Sequence, residues 1–396
     1  MNTAQNYNVL IVGAGLFGLT IAERLIHECN KNVLMIDKRN HIGGNCYSEF
    51  DKDTGIECHK YGAHLFHTSL KNVWEYVNHF TSFTNYTHKV YTIHNNIVYP
   101  LPINLGTINQ FFGAAYTPDA AKALIKEQSA NTPANPKNLT EQGISLIGEP
   151  LFDAFIKNYT TKQWQTPAEK LSPDIIKRLP VRYNYDNRYF NDVYEGLPTN
   201  GYGAWFQNIV DSCGDKLSIH LETDYFNDTE VQNLCKSGIL TIYTGPIDQF
   251  YAYQFGELKW RSLNFEKEIL NVDDFQGCPV MNYADLQPEY TRIHEFKHFH
   301  PERKDNPEYK KSAYAENSNK TIIVREYSKT WHRGEEPYYP VNTAEDQKRL
   351  AQYQALAATD KNVIFGGRLG EYAYYDMDKT IAAALAKFQE IKSKIQ

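Results

Sequence analysis

Val9-Leu10-Ile11-Val12-Gly13-Ala14-Gly15-Leu16-Phe17-Gly18, continued by the run from Leu19 to Glu28 and closed by Val33-Leu34-Met35-Ile36-Asp37, decides the fold. Four apolar residues read as a short buried strand and the glycines as a tight turn. The next run reads as a helix, and Val33 to Ile36 as a second strand. This is G-x-G-x-x-G inside a βαβ unit, with an acid at the second strand end. Gly13 permits the turn, Gly15 lets backbone approach a pyrophosphate, and Gly18 lets helix and strand pack closely. The helix start presents free N–H groups and the positive end of its dipole to phosphates. Asp37 is placed to accept the hydroxyls of an adenosine ribose.

A second glycine turn, Ile42-Gly43-Gly44-Asn45, follows at once. NAD and FAD share the first fingerprint, but a glycine doublet just after the acid is the pattern of FAD enzymes. The expectation is an FAD site built from Gly13, Gly15, Gly18, Asp37, Gly44 and Asn45.

Outward from this unit, residues 72–80 read as a helix and 88–100 as a β-ribbon turning at Asn95-Asn96. Pro118 to Gln128 is a helix, and Asn138 with Glu141 has the spacing of a capping box ahead of another. On that second helix Ile147, Leu151, Ala154 and Phe155 recur at helical spacing. Thr160 to Tyr189, with Pro167, Pro173 and Pro180, reads as a loop or flap with a short helix at Asp174–Leu179. Strands are expected at Ser218–Leu221, Ile239–Thr244, Leu258–Phe265, Arg292–Phe299, Thr321–Tyr327 and Asn362–Gly367. Asp378 is expected to cap a final helix reaching about Lys392. The fold class is α/β: a Rossmann-type FAD-binding domain, a helical-bundle domain and an antiparallel β-sheet domain. The expected division is 1–85 with 205–250 and 330–396 for FAD, and 103–190 for the helices, with a mobile flap near 165–185. Residues 86–102, 191–204 and 251–329 form the sheet domain.

Composition narrows the function. A net charge of -6 leaves no basic excess to neutralise a nucleic-acid strand, so an anionic ligand must meet a local cationic cluster. The 29 Tyr and 20 Phe suit sugar and nucleotide binding, although most of these rings are expected in the interior. Six scattered Cys without CxxC spacing argue against a zinc site and a disulfide framework. The 42% hydrophobic content holds no run of the roughly 18 apolar residues that a membrane span requires. A soluble cytoplasmic protein is expected.

Beyond these generic features, Lys38-Arg39-Asn40-His41-Ile42-Gly43-Gly44-Asn45 and Tyr61-Gly62-Ala63-His64-Leu65-Phe66-His67-Thr68 are specific strings. So are Tyr159-Thr160-Thr161-Lys162-Gln163-Trp164, Ile176 to Arg182, and Gly245-Pro246-Ile247-Asp248. Phe365 to Gly370 and Tyr374 to Asp378 complete the set. In this order they resemble bacterial UDP-galactopyranose mutases over essentially the whole chain. The resemblance implies interconversion of UDP-galactopyranose and UDP-galactofuranose on reduced FAD without net redox, supplying galactofuranose for cell-surface polysaccharide. It implies attack by flavin N5 on the anomeric carbon, departure of UDP, opening to a flavin–sugar iminium and reclosure through the other hydroxyl. Arg178 on the flap and Arg292 are then the diphosphate arginines, suited by their planar forks. Phe155, Tyr159 and Trp164 hold the uridine, Tyr189, Tyr327 and Tyr374 the diphosphate, and Asn282 sits near the sugar. His64 and His67 flank the isoalloxazine, His67 as a candidate for proton transfer, while Arg368, Asp376 and Met377 contact FAD. The last helix would aim its N-terminus at the flavin pyrimidine. A homodimer is implied as well. Asp37 stands where such proteins often carry Glu, and Cys46 where a small residue is usual. The competing readings are an amine-oxidase-type FAD oxidoreductase acting on a nucleotide sugar, and a non-catalytic nucleotide-sugar binder.

Overall fold

In the computed structural model, which describes residues 7–176, 181–304 and 316–395, five short strands lie parallel in one sheet. Their order is Val363–Phe365, Leu240–Tyr243, Val9–Val12, Val33–Ile36, Leu217–His220. Strands buried on both faces carry unbroken apolar runs, and Val9–Val12 and Val33–Ile36 are buried at every position. Alternation along the chain divides them between two cores. Val9, Ile11, Val33 and Met35 face the helices Leu16–Cys29, Gly201–Cys213 and Met377–Ile395, while Leu10, Val12, Leu34 and Ile36 face Val231 and Tyr243. From the first strand the chain builds Val33–Ile36 on one side and returns to the other side only at Leu240–Tyr243, so the strand order reverses there. A crevice therefore opens at the carboxyl ends of the strands, where such sheets bind ligands.

The second sheet has seven strands: Tyr339–Pro340, Trp260–Leu270, Thr321–Thr330, Arg292–Glu295, Val280–Tyr283, Val90–His94 and Ile97–Leu101. It is antiparallel except where Val280–Tyr283 pairs in parallel with Val90–Ile93. The ribbon at 88–100 is present, with Asn95 and Asn96 at φ 50° and 60°, the left-handed pair a two-residue hairpin turn requires. Arg292–Glu295 is shorter than expected, because Phe296–Phe299 turns into a 3₁₀ segment.

The helices Leu105–Phe112, Pro118–Gln128 and Leu139–Ile147 share a core with Leu151, Phe152 and Phe155. Asn138 caps the third by accepting from Glu141 N–H at 2.9 Å, while the Glu141 carboxylate turns to Lys137 N–H instead of closing a box. The expected single helix through Phe155 is broken. Gly148, at φ 77° and ψ 156°, ends the turn, Glu149–Phe152 restarts it, and Asp153–Lys157 is π-helical before Asn158–Trp164 continues as an α-helix. Residues 160–164 are thus helical where a loop was expected, followed by 3₁₀ turns at Ala168–Lys170 and Pro173–Ile176. The remainder of the helix expected at Asp174–Leu179 lies outside the described residues. Among the described residues no helix is long and apolar enough to cross a membrane.

Candidate active site

A cavity of about 1120 Å³ runs from the glycine turns, across the face of the seven-stranded sheet, to the π-helical segment. Single-ligand pockets are typically about 300–1,000 Å³, so two ligands fit end to end. At one end Gly13, Gly15, Asp37, Gly43, Gly44 and Asn45 line it. Gly44, at φ 58°, lies against Gly15 so tightly that a Cβ on it would stand 3.1 Å from the Gly15 Cα. The two turns form one ledge of bare backbone. Gly18 does not line the cavity; a Cβ there would meet the Gly13 carbonyl oxygen at 2.1 Å, so it serves helix–strand packing. Helix Leu16–Cys29 starts at Gly15 with no side-chain cap, leaving its first N–H groups toward the ledge. Asp37 accepts from Ala14 N–H (2.8 Å) and Arg39 N–H (2.9 Å), each oxygen keeping a further lone pair. Arg39 lines the same end, 4.3 Å over the Tyr61 ring, bonded to Asn45 Oδ1 at 2.8 Å and paired with Glu336 at 2.7 Å. Arg39 and Tyr61 were not among the expected site residues, although the strings Lys38–Asn45 and Tyr61–Thr68 contain them.

The middle of the cavity is walled by two histidines of one loop and strand. His64 Nδ1 is 2.8 Å from the Gly62 carbonyl, and burial lowers its imidazole to about 4, so the ring is neutral. His67 Nδ1 is 2.7 Å from Asp192 Oδ2, and the ring stacks on Phe190 at 3.7 Å. That fixes the ring's orientation, a signal invisible in sequence because Asp192 is 125 residues away. Arg368 donates to the Tyr338 and Tyr375 carbonyls and lies 5.7 Å from the Tyr339 ring. Asp376 and Met377 line the cavity where helix Met377–Ile395 begins, so that helix start does face it. The helix begins one residue before Asp378, which is buried and accepts from Thr68 Oγ1 at 3.1 Å.

The far end gathers cation and aromatics. Arg292 Nε is 3.1 Å from Glu326 Oε1, and despite the cost of burial this carboxylate holds the guanidinium above its usual range. Around it the cavity is lined by Tyr159, Tyr189, Asn282, Tyr339 and Tyr374. Burial pushes the Tyr159 hydroxyl up to about 12, so it is a donor at neutral pH. Phe155, 4% exposed, lines the cavity with its ring edge-on to Tyr99 at 5.0 Å. The π turn, a geometry frequent at functional sites, sets Phe155 and Tyr159 on the cavity side.

Two expected residues are not brought there. Tyr327 follows Glu326 on its strand, and alternation sends it to the other face, where its hydroxyl donates to Glu266 at 2.9 Å. Tyr339 takes that place instead, stacked on Tyr374 at 5.6 Å. Trp164 is half-buried against the helical core and is not among the lining residues. Arg178 lies outside the described residues. His88, His294 and Glu326 line the cavity without having been singled out.

Comparison with known proteins decides the relationship. The family description UDP-galactopyranose mutase matches residues 154–374, and an NAD(P)-binding Rossmann-like domain matches residues 11–80. The chain belongs to the UDP-galactopyranose mutase family. A Klebsiella pneumoniae protein named "Probable UDP-galactopyranose mutase" is 40% identical over 99% of this chain and 96% of its own length. A dTDP-fucopyranose mutase of Escherichia coli is 38% identical over 95% and 96%. A UDP-galactopyranose mutase of Mycoplasma pneumoniae is 31% identical over 98% and 96%. Among solved structures, a reduced UDP-galactopyranose mutase superposes with a TM-score of 0.73 at 16% identity, covering 98% of this chain and 94% of that one. A putrescine oxidase variant reaches 0.54 at 12% identity, covering 98% and 99%. The fold is thus shared with oxidases, while family membership makes this chain a mutase, an isomerase and not an amine-oxidase-type enzyme.

Proposed function

We propose that the chain interconverts UDP-galactopyranose and UDP-galactofuranose on a bound, reduced FAD. The observation that carries this reading is the single cavity joining a backbone phosphate ledge to Arg292 and its ring of tyrosines. The residues present fit FAD: a ledge that any Cβ on Gly44 would crowd, an uncapped helix start, and Asp37 with lone pairs to spare. Gly13, Gly15, Asp37, Gly44 and Asn45 would hold the adenosine and pyrophosphate, and His64, Arg368, Asp376 and Met377 the flavin. When bound and reduced, the flavin supplies the nucleophile toward the anomeric carbon.

The chain's own residues do the rest. Arg292, kept charged by Glu326, would clamp the diphosphate through its outer nitrogens while the sugar is detached. Tyr159, Tyr189, Tyr339 and Tyr374 would donate hydroxyls to phosphate oxygens, Tyr339 standing in for Tyr327. Phe155 would pack against the uracil, and Asn282 would meet the sugar. His67, held by Asp192 through Nδ1, presents Nε2 for proton transfer at a ring hydroxyl. Arg178 is proposed as the second diphosphate cation from its sequence motif alone, and homodimerisation from the resemblance.

A second reading, dTDP-fucopyranose as substrate, is favoured by the 38% identical relative of that name. Dithionite-reduced enzyme offered both nucleotide sugars, with products separated by chromatography, distinguishes the two. Faster conversion of dTDP-fucopyranose would replace the first reading.

A further inference from the structure

The floor of the cavity is one face of the seven-stranded sheet, and Asn282, Arg292, His294 and Glu326 all stand on it. Arg292 has its part in the reading above, but His294 has none. Its side chain is 1% exposed, and the ring packs parallel to Phe296 at 5.9 Å. Nε2 lies 3.0 Å from Glu326 Oε2. Burial would raise the Glu326 carboxyl, yet Arg292 and His294 hold it below its ordinary value, so it is an ionised acceptor. Burial keeps the imidazole below its own ordinary value, hence neutral. A neutral ring that donates from Nε2 to a carboxylate has a bare lone pair on Nδ1.

That lone pair has no hydrogen-bond partner among the described residues. The neighbouring His59 cannot supply one through Nδ1, which already accepts from His64 N–H at 3.0 Å. Buried polar atoms of folded proteins are paired with few exceptions, and an exception beside a ligand cavity points to the ligand.

We propose that His294 is a further binding residue of this site, whose Nδ1 accepts a hydrogen bond from an N–H or O–H group of the cavity's occupants. Glu326 fixes the tautomer that makes this possible. The donor is a hydroxyl of the sugar or a ring N–H of the flavin, and the inference rests on the proposed function for naming those two.

Two variants separate this role from a purely structural one. In His294→Asn the amide oxygen stands near the former Nδ1, but the side chain is too short to reach Glu326. In His294→Gln the terminal amide reaches Glu326, and no acceptor stands where Nδ1 was. Both are made in the flavin-loaded enzyme, with thermal stability and flavin content recorded. Dissociation constants for UDP-galactopyranose and UDP, and the midpoint potential of the flavin, are then measured. The expected result is that His294→Asn stays close to wild type while His294→Gln either loses UDP-galactopyranose binding by about threefold to tenfold, the worth of one net hydrogen bond, or shifts the flavin potential. A loss confined to UDP-galactopyranose, with UDP unchanged, assigns the donor to the sugar. A shifted midpoint potential with both nucleotides unchanged assigns it to the flavin. The reverse order, His294→Asn impaired and His294→Gln normal, would overturn the proposal in favour of support through Glu326. Equal behaviour of the two variants overturns it as well. Wild-type enzyme that fails to bind UDP-galactopyranose sinks the proposed function and not this inference. The flavin potential and dTDP-fucopyranose binding of the same variants then decide it.

Discussion

Replacing Arg292 by Met removes a cation from the cavity and, at the same moment, strands Glu326. The carboxylate is 4% exposed, and Arg292 Nε is 3.1 Å from it. Removing one partner of a buried ion pair costs about 3–5 kcal/mol. Here the low end applies, because His294 at 3.0 Å and Thr291 at 3.5 Å continue to serve Glu326. About 3 kcal/mol corresponds to a fall in Tm of roughly 6–12 °C at 2–4 °C per kcal/mol. The deficit has a sign in pH. In wild type the folded Glu326 pKa is depressed by Arg292, so its contribution is present above the unfolded value and lost in acid as pH falls through the folded one. Without Arg292 burial dominates and the folded pKa rises above the unfolded value. The variant's deficit should therefore grow as pH rises from about 4.5, the folded state now being the one that retains the proton. Adding Glu326→Gln should restore most of the stability, since an amide needs no counter-charge. It should not restore UDP affinity, which depends on the arginine fork. Thermal melts from pH 4.5 to 8 and UDP titrations on the two variants test this together. Unchanged melting of the single variant refutes the stability argument, and near-normal UDP affinity of the double variant refutes the clamp.

Tyr339→Phe should weaken UDP binding by about threefold to tenfold, one net hydrogen bond, while Tyr327→Phe should leave it unchanged because that hydroxyl bonds Glu266 on the far face; titration calorimetry on both checks the strand alternation. Gly13→Ala should yield protein with little flavin, because its Cβ would stand 2.0 Å from Thr244 Oγ1 at φ 109°, as read from the absorbance ratio of purified protein. Asp192→Asn should lower turnover more than it raises KM by loosening His67, and equal activity would remove His67 from proton transfer. Burial depresses His59 to about 3, His64 to about 4 and His88 to about 3, so the unfolded chain takes up protons first as pH falls below about 6.5. Stability should consequently drop between pH 6.5 and 4.5 by at most about 1.4 kcal/mol per pH unit for each ring, visible in denaturant melts.

The nucleotide end of the site was legible because its chemistry is local. Gly13 to Asp37 is one continuous unit whose periodicity, turn and acid lie within 25 residues. The sheet end was legible only through motif resemblance, which named Tyr327 and passed over Tyr339. Only the register that turns Glu326 inward shows that Tyr327 must turn outward. The π turn at Asp153–Lys157 leaves no mark in composition, since an inserted residue shifts the helical face without changing which residues are apolar. The pairing of Val280–Tyr283 with Val90–Ile93, and the reach of Asp192 to His67, join segments more than a hundred residues apart. Periodicity carries no information about such contacts.

Conversion of UDP-galactofuranose by the purified flavoprotein, measured with and without dithionite, decides between isomerisation and oxidation. UDP-galactopyranose is expected as product only after reduction, with many turnovers and no stoichiometric oxidant consumed. Sugar oxidation coupled to flavin redox turnover, or binding with no isomerisation by the reduced enzyme, would contradict the proposed function.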